Sequence, residues 1–192
     1  NSYAFIFGYL PVTLAGFFLL ASSSHRLAAL WLAAASLFFY GWWNPAFVAL
    51  VMASITVNYG FGYVIGHARI RSGKKATTVL AVSVITNLGL LAYFKYANFF
   101  IANVSQLTGA ELSVVNIVLP LGISFFTFTQ IAFLVDVYRG IAREYNFIHY
   151  VLFVTYFPHL IAGPVLHHKQ MMPQFGHAGT YSVNLENINI GL

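Results

Sequence analysis

Long runs of apolar residues follow one another along the chain, separated by short polar or glycine- and proline-containing stretches. Each run is close to the about 20 residues that a helix needs to cross a bilayer. The pattern predicts an all-α fold, a polytopic transmembrane helix bundle of about six spans within a single membrane domain over residues 1–192. The runs cover residues 4–21, 27–43, 46–66, 77–97, 117–137 and 145–166.

Proline and glycine interrupt the later runs. Pro120 and Gly122 stand near the start of the fifth run, and Pro158 stands inside the sixth. Because proline removes a helical hydrogen bond, we expect the sixth run to be broken, or re-entrant. The side of the polar tail that follows it is left open. The stretch 98–107 is predicted to be a separate amphipathic element after the fourth run.

Composition supports a lipid environment. Hydrophobic residues make up 59% of the chain and charged residues 7%, against about 25% charged residues in soluble domains. The charge is too sparse to coat a water-facing surface, which excludes an ordinary soluble domain. The chain has no cysteine, so it can form no disulfide, no thiolate metal site and no thioester of its own.

Positive charge falls in alternate loops. Arg26, then a basic loop predicted over 67–75, then Arg139 and Arg143 carry it, while the loops around Pro45 and Glu111 carry none. The positive-inside rule therefore predicts that the basic loops face the cytoplasm and that the N-terminus lies outside. The dispersed basic residues form no patch, so nucleic acid is not an expected partner. Membrane lipid is.

The fifth run carries the best candidates for chemistry. Ser124, Thr127 and Gln130 follow at three-residue steps on one helical face. They are candidates for lining a tunnel or substrate path, or for holding neighbouring helices together by hydrogen bonds. Asp136 and Arg139 are predicted to form a structural ion pair at the interface.

The histidines offer one further candidate. His159 follows a proline inside an apolar run, where it is either a substrate-path residue or a packed core residue. His167 and His168 are adjacent and point about 100° apart on a helix, so they make a poor metal pair. No metal site is expected. Gly60, Gly62 and Gly66 are expected to allow close helix packing.

Two blocks of sequence are more specific. Residues 119–130 read LPLGISFFTFTQ and run on to Asp136-Val-Tyr-Arg-Gly, and residues 157–164 read FPHLIAGP, followed by MPQF at 172–175. These blocks, with YGWW at 40–43 and YFKY at 93–96, resemble the membrane-bound O-acyltransferase family. The similarity is greatest to the branch that O-acetylates alginate. His159 departs from the glutamine that is usual there.

The resemblance implies a larger bundle around a tunnel, of which this chain is expected to be the N-terminal part, truncated at its C-terminal end. It implies O-acetyl transfer to a cell-surface or exported polysaccharide at the bacterial cytoplasmic (inner) membrane. The donor would be a co-substrate such as acetyl-CoA or an acyl carrier, with no bound cofactor, and an extracytoplasmic acetylation partner protein is expected. The family's catalytic histidine is expected beyond Leu192, so no residue here is assigned as catalytic. These residues are expected to be scaffold and tunnel, inactive alone.

Two other functions remain open from the residues. A small-molecule transporter would use broken helices such as those predicted at Pro120 and Pro158, although no internal repeat accompanies them. A non-catalytic assembly subunit of a polysaccharide-modification complex would need none of the candidate groups. Movement of a substrate across the membrane without any change in acetylation would distinguish the transporter from the acyltransferase.

Overall fold

The computed structural model describes residues 3–109, 117–142, 146–156 and 168–183. Within these ranges the regular secondary structure is helical, which confirms the predicted all-α class. A π-helical turn, Phe5–Tyr9, leads into α1 and a 3₁₀ turn, Ala178–Tyr181, follows α7. The α-helices are α1 Leu10–Ala21, α2 His25–Trp43, α3 Pro45–Arg71, α4 Gly73–Thr108, α5 Ile123–Arg139, α6 Phe147–Thr155 and α7 His168–Gly176.

Two of these helices are long and apolar enough to cross a membrane by length and composition, α3 and α4. The apolar helix formed by residues Phe5–Ala21 is shorter. The wider count of about six spans stays a prediction.

The predicted basic loop over 67–75 is wrong. Helix α3 continues to Arg71 and α4 begins at Gly73, so Ser72 alone, with extended backbone, separates them. Lysine and arginine are good helix formers, and Arg69 and Arg71 in the last turn of α3 interact favourably with its dipole. The Ser72 amide still donates to Ala68 O at 2.7 Å, which closes that turn.

The separate element predicted over 98–107 is also wrong, because α4 runs through it without a break for 36 residues. Neither proline nor glycine lies between Gly89 and Gly109, so nothing in the sequence stops the helix earlier. Gly109 adopts the left-handed conformation, with φ 69°, and ends the helix. At about 1.5 Å per residue, α4 is about 54 Å long.

Helices α1 to α5 alternate in direction, which gathers their charges at one end. We call the end that carries Arg26, Arg69, Arg71, Lys74, Lys75 and Arg139 the basic end, and the opposite end the far end. At the basic end the Thr77 and Tyr138 hydroxyls lie 2.9 Å apart, joining α4 to α5. At the far end Tyr40 OH donates to Leu121 O at 3.0 Å, joining α2 to the approach of α5.

Glycine sets both limits of α5. Gly122, with φ 66°, precedes its first residue, as the interruption predicted near Pro120 and Gly122 requires. Gly140, with φ 79°, follows its last residue, and the Arg69 guanidinium lies directly against Gly140 where a Cβ would stand. A side chain at position 140 would therefore displace Arg69 as well as strain the backbone.

The predicted sixth run yields a short helix. α6 ends at Thr155, and the rest of the run from 157, including His159, lies outside the described residues. The described part of the tail lies at the basic end, where the Tyr181 ring stacks on His25 with centroids 4.1 Å apart and an angle of 12°. Burial raises the pKa of Tyr181, and its hydroxyl donates to Phe175 O at 2.8 Å. Residues 177–183 thus lie beside the start of α2.

Candidate functional site

The three polar residues predicted to share a face of α5 have different surroundings. Ser124 lies in the first turn and is partly exposed. Thr127 and Gln130 are both fully buried, at 0% exposure. Thr127 Oγ1 has no hydrogen-bond partner within the described residues, whereas both ends of the Gln130 amide are engaged. This face of α5 therefore carries one partly exposed polar residue, Ser124, and two buried polar residues, Thr127 and Gln130.

Gln130 joins three helices. Its Nε2 donates to Ser54 Oγ of α3 at 3.0 Å. Its Oε1 accepts a longer hydrogen bond, 3.5 Å, from the hydroxyl of Tyr150 in α6. All three residues are buried, Tyr150 completely. Gln130 thus fixes α5 against one neighbour on each side.

The polar centre extends into α4 through a pair of asparagines. Asn58 Nδ2 donates to Asn87 Oδ1 at 3.1 Å, and Asn87 Nδ2 donates back to Asn58 Oδ1 at 2.6 Å. Each amide also donates to a carbonyl four residues earlier in its own helix, Ser54 O at 2.9 Å and Ser83 O at 2.8 Å. Both amides are buried and have both donors satisfied.

Together these residues form one hydrogen-bonded network across four helices. We call it the polar network: Asn87, Asn58, Ser54, Gln130 and Tyr150. Asn87 lies about 21 Å along α4 from Gly73, at about 1.5 Å per residue, which is well inside an apolar layer about 30 Å thick. Polar groups at this depth need partners, since lipid offers none. The network supplies them.

A cavity of about 270 Å³ lies beside the network between α3 and α4. Its wall contains Ser54, Asn58 and Asn87, together with the exposed Thr86. The remaining lining is apolar, from Leu50, Ala53, Val57 and Leu90. The cavity therefore offers mainly apolar surface, with amide and hydroxyl groups at one side.

The chemistry available in the network is that of neutral hydrogen bonds. Amides and hydroxyls orient polar groups and align helices, but they offer neither a carboxylate nor an imidazole for proton transfer. No group of three or more histidine, aspartate or glutamate side chains that could hold a metal ion occurs within the described ranges. The network is thus suited to positioning.

Close packing brings α5 against α3 beside the network. A Cβ on Gly62 would lie 2.7 Å from Cε1 of Phe133, one turn after Gln130. The expected role of the glycines is confirmed at this position. It is wrong for Gly60, where a Cβ would meet nothing within 4 Å. Gly66 also faces α5, but a Cβ there would lie 3.8 Å from Val137 Cγ1, an ordinary contact, so Gly62 is the one of the three that the close approach requires.

The charged candidates lie at the basic end. Asp136 is 9% exposed, and its backbone carbonyl accepts from the amides of Ile141 at 2.8 Å and Ala142 at 3.2 Å. Arg139 is exposed in the last turn of α5. Their ion pair stays a prediction. His159 and His167 lie outside the described residues, and His168 opens α7.

Sequence reasoning missed most of the polar network. Ser54, Asn58, Asn87 and Tyr150 were not selected, because each is an ordinary residue when considered alone. A signal was present: Ser-x-x-x-Asn-x-Gly occurs in α3 at 54–60 and again in α4 at 83–89. A matching polar step in two consecutive apolar runs favours a pair of facing amides.

Curated relatives cover nearly the whole chain. It is 35% identical to the peptidoglycan O-acetyltransferase of Helicobacter pylori, with 100% of the chain and 41% of the relative covered. It is 41% identical to the probable alginate O-acetylase AlgI of Pseudomonas aeruginosa, with 92% and 34% covered. The corresponding AlgI of Azotobacter vinelandii is 40% identical, with 92% and 36% covered.

The chain spans about a third to two fifths of the length of the curated relatives it matches. No protein-family model and no solved structure gives a significant match. The similarity, which extends over 92–100% of the chain, confirms the resemblance in the fifth and sixth runs. The chain is thus similar, over nearly its whole length, to bacterial proteins named for the O-acetylation of peptidoglycan and of alginate.

Proposed function

We propose that the whole protein is a membrane O-acyltransferase that transfers acetyl groups to hydroxyls of a cell-surface or exported polysaccharide. The observation that carries this proposal is the similarity over nearly the whole chain to relatives named for O-acetylation of two different polysaccharides. What those names share is the reaction type and the class of acceptor. The acceptor of this protein is proposed only to that class.

The positive-inside rule supports the orientation of the proposed reaction. The basic end faces the cytoplasm and the far end faces outward, in the bacterial cytoplasmic membrane. The acetyl donor, acetyl-CoA or an acyl carrier, approaches from the basic end, and the acceptor from the far end. An extracytoplasmic partner protein completes the proposed system.

The described helices serve as scaffold and substrate path in this proposal. The polar network holds α3, α4, α5 and α6 in register, so that apolar walls exclude water from an acetyl group in transit. We assign no proton transfer to the network, because its groups are neutral. Ser124, Thr127, Gln130 and His159 remain proposed substrate-path residues, and Gln130 also serves the scaffold in this proposal.

Acetyl transfer by the full-length protein in lipid nanodiscs tests the function. We expect a radiolabelled acetyl group from acetyl-CoA, or from a loaded acyl carrier, to appear as a base-labile ester on unacetylated polysaccharide. Movement of a small solute across vesicles without ester formation would support a transporter instead. If the partner proteins alone were sufficient to form the acetylated polysaccharide, this protein would be an assembly subunit.

The variant Thr127→Val tests whether the Thr127 hydroxyl is part of the substrate path or only of the scaffold. Its buried hydroxyl has no partner within the described residues, so replacing it with an isosteric methyl removes an uncompensated polar group. We expect stability to rise by about 1 kcal/mol. A matched change, Gln130→Leu, removes the hydrogen bonds to Ser54 and Tyr150 and is expected to lower stability. Lower acetyl transfer by a stabilised Thr127→Val protein would identify the hydroxyl as part of the path, and unchanged transfer would remove Thr127 from it.

A further inference from the structure

The last turn of α2 is tied to the segment that leads into α5. Tyr40, in the block YGWW, is buried at 1% exposure, and its hydroxyl donates to Leu121 O at 3.0 Å. Leu121 belongs to the block that begins LPLG at residue 119. Two of the sequence blocks that carry the resemblance, 81 positions apart at these residues, therefore meet through one hydrogen bond.

The start of α5 has no side-chain cap. Gly122, the residue before the helix, has φ 66° and no side chain with which to bond the first turn. The hydrogen bonds of the helix begin at Gly122 O, which accepts from Phe126 N at 3.0 Å, so Leu121 O lies one residue before them. Because glycine adopts several backbone conformations at little cost, a contact from outside the helix selects one of them. The Tyr40 hydroxyl makes such a contact.

Helix α5 is thus held at two heights. The polar network fixes it at Gln130, and Tyr40 fixes the chain at Leu121, nine positions earlier. At about 1.5 Å per residue the two points are about 13 Å apart. Ser124 and Thr127, two of the proposed substrate-path residues, lie between them. The height and rotation of these two side chains therefore depend on both contacts.

We propose that Tyr40 is a positioning residue for acetyl transfer: its hydroxyl fixes the first two turns of α5, and with them the Ser124 and Thr127 side chains. The inference rests on the proposed function and adds a residue to which no contact with substrate is assigned. Tyr40 acts through the backbone of α5. Loss of its hydroxyl leaves Leu121 O without this donor and lets the Gly122 backbone change conformation.

Fluorine NMR on the full-length protein in nanodiscs tests the position of α5 directly. Trifluoromethylphenylalanine takes the place of Phe125, a half-buried residue in the first turn of α5, and reports on its surroundings. We expect Tyr40→Phe to shift or split this resonance. The loss of one hydrogen bond of ordinary strength raises the population of a second conformation about 2- to 10-fold. The same label at Phe61, in the part of α3 towards the basic end, should keep its resonance.

Tyr9→Phe is the matched control. Tyr9 OH donates to Ala35 O at 2.7 Å, so this variant also removes a hydrogen bond from a tyrosine to a backbone carbonyl. The bond joins α2 to the π-helical turn before α1 rather than to α5. We expect Tyr9→Phe to leave the label at position 125 unchanged. An equal change in both variants, or no change in Tyr40→Phe, would overturn the proposal.

Acetyl transfer by the unlabelled variants gives the second measurement. Because no contact between Tyr40 and substrate is assigned, Tyr40→Phe should lower kcat about 3- to 10-fold and leave the KM of donor and acceptor within about twofold. Tyr9→Phe should leave kcat unchanged. A kcat equal to that of wild type in Tyr40→Phe would overturn the positioning role even if the fluorine resonance moved.

The two measurements distinguish this proposal from the proposed function. Normal acetyl transfer, with kcat and the fluorine resonance both unaffected by Tyr40→Phe, would refute the positioning role and leave the acyltransferase standing. A resonance that depends on Tyr40, in a wild-type protein that forms no acetyl ester from either donor, would refute the acyltransferase and leave only the structural link between α2 and α5.

Discussion

The reciprocal bond between Asn58 and Asn87 makes a sharp prediction about stability. Asn58→Leu removes two inter-helix hydrogen bonds, of 3.1 and 2.6 Å, and leaves the Asn87 amide buried without its partner. Inter-helix hydrogen bonds in membranes contribute about 0.6 kcal/mol each on average, or about 1.2 kcal/mol for the pair. An unpaired buried polar group adds at least about 1 kcal/mol. We therefore expect the single change to cost about 2 kcal/mol.

Asn87→Leu should cost a similar amount, since the contacts of the two amides are nearly symmetric. The double variant leaves no stranded amide and loses only the two hydrogen bonds, so its cost should be about 1 kcal/mol rather than the sum of about 4 kcal/mol. A double-mutant cycle on the full-length protein in detergent, followed by reversible SDS unfolding, measures the coupling. The control cycle pairs Asn58→Leu with Thr56→Val, whose hydroxyl bonds within its own helix to Met52 O at 2.8 Å. Additive costs for the two asparagines would refute the reasoning.

Two further predictions concern packing and topology. Gly62→Ala should destabilise the protein by about 1–3 kcal/mol, because its methyl group would overlap Phe133, whereas Gly60→Ala should be neutral or stabilising; equal costs in thermal unfolding would contradict this. Single cysteines at Val183 and Ser22 should react with a membrane-impermeant maleimide from the same side of intact cells or vesicles, because the stack of Tyr181 on His25 puts both at the basic end. Labelling from opposite sides would refute this position of residues 177–183.

Composition and periodicity were sufficient to predict the helical class, and Pro120 with Gly122 were sufficient to predict an interruption near the start of the fifth run, which lies just before α5. The joint at Ser72 could not be predicted in the same way. Charged residues mark the end of an apolar run, but lysine and arginine continue a helix as well as most residues do. A change from apolar to polar residues therefore predicts a membrane boundary but does not predict the end of the helix.

The candidate site was likewise predicted only in part. Gln130 was found because a long amide inside an apolar run is unusual in any register. Its partners were not found, because the contact between Asn58 and Asn87 depends on how two helices are aligned along their axes. The near-continuity of α3 and α4 at Ser72 sets that alignment. Side chains 29 positions apart in the sequence thus come to lie opposite each other.

The one-residue joint between α3 and α4 also has a consequence for biogenesis. An asparagine in an isolated hydrophobic segment opposes its release from the translocon into lipid, because its amide would enter the bilayer unbonded. With Ser72 as the only connection, the second helix emerges directly beside the first, and each amide satisfies the other. We expect the two segments to partition into the bilayer together, as a helical hairpin. The hydrogen bonds between the asparagines of the two Ser-x-x-x-Asn steps would make this joint insertion favourable.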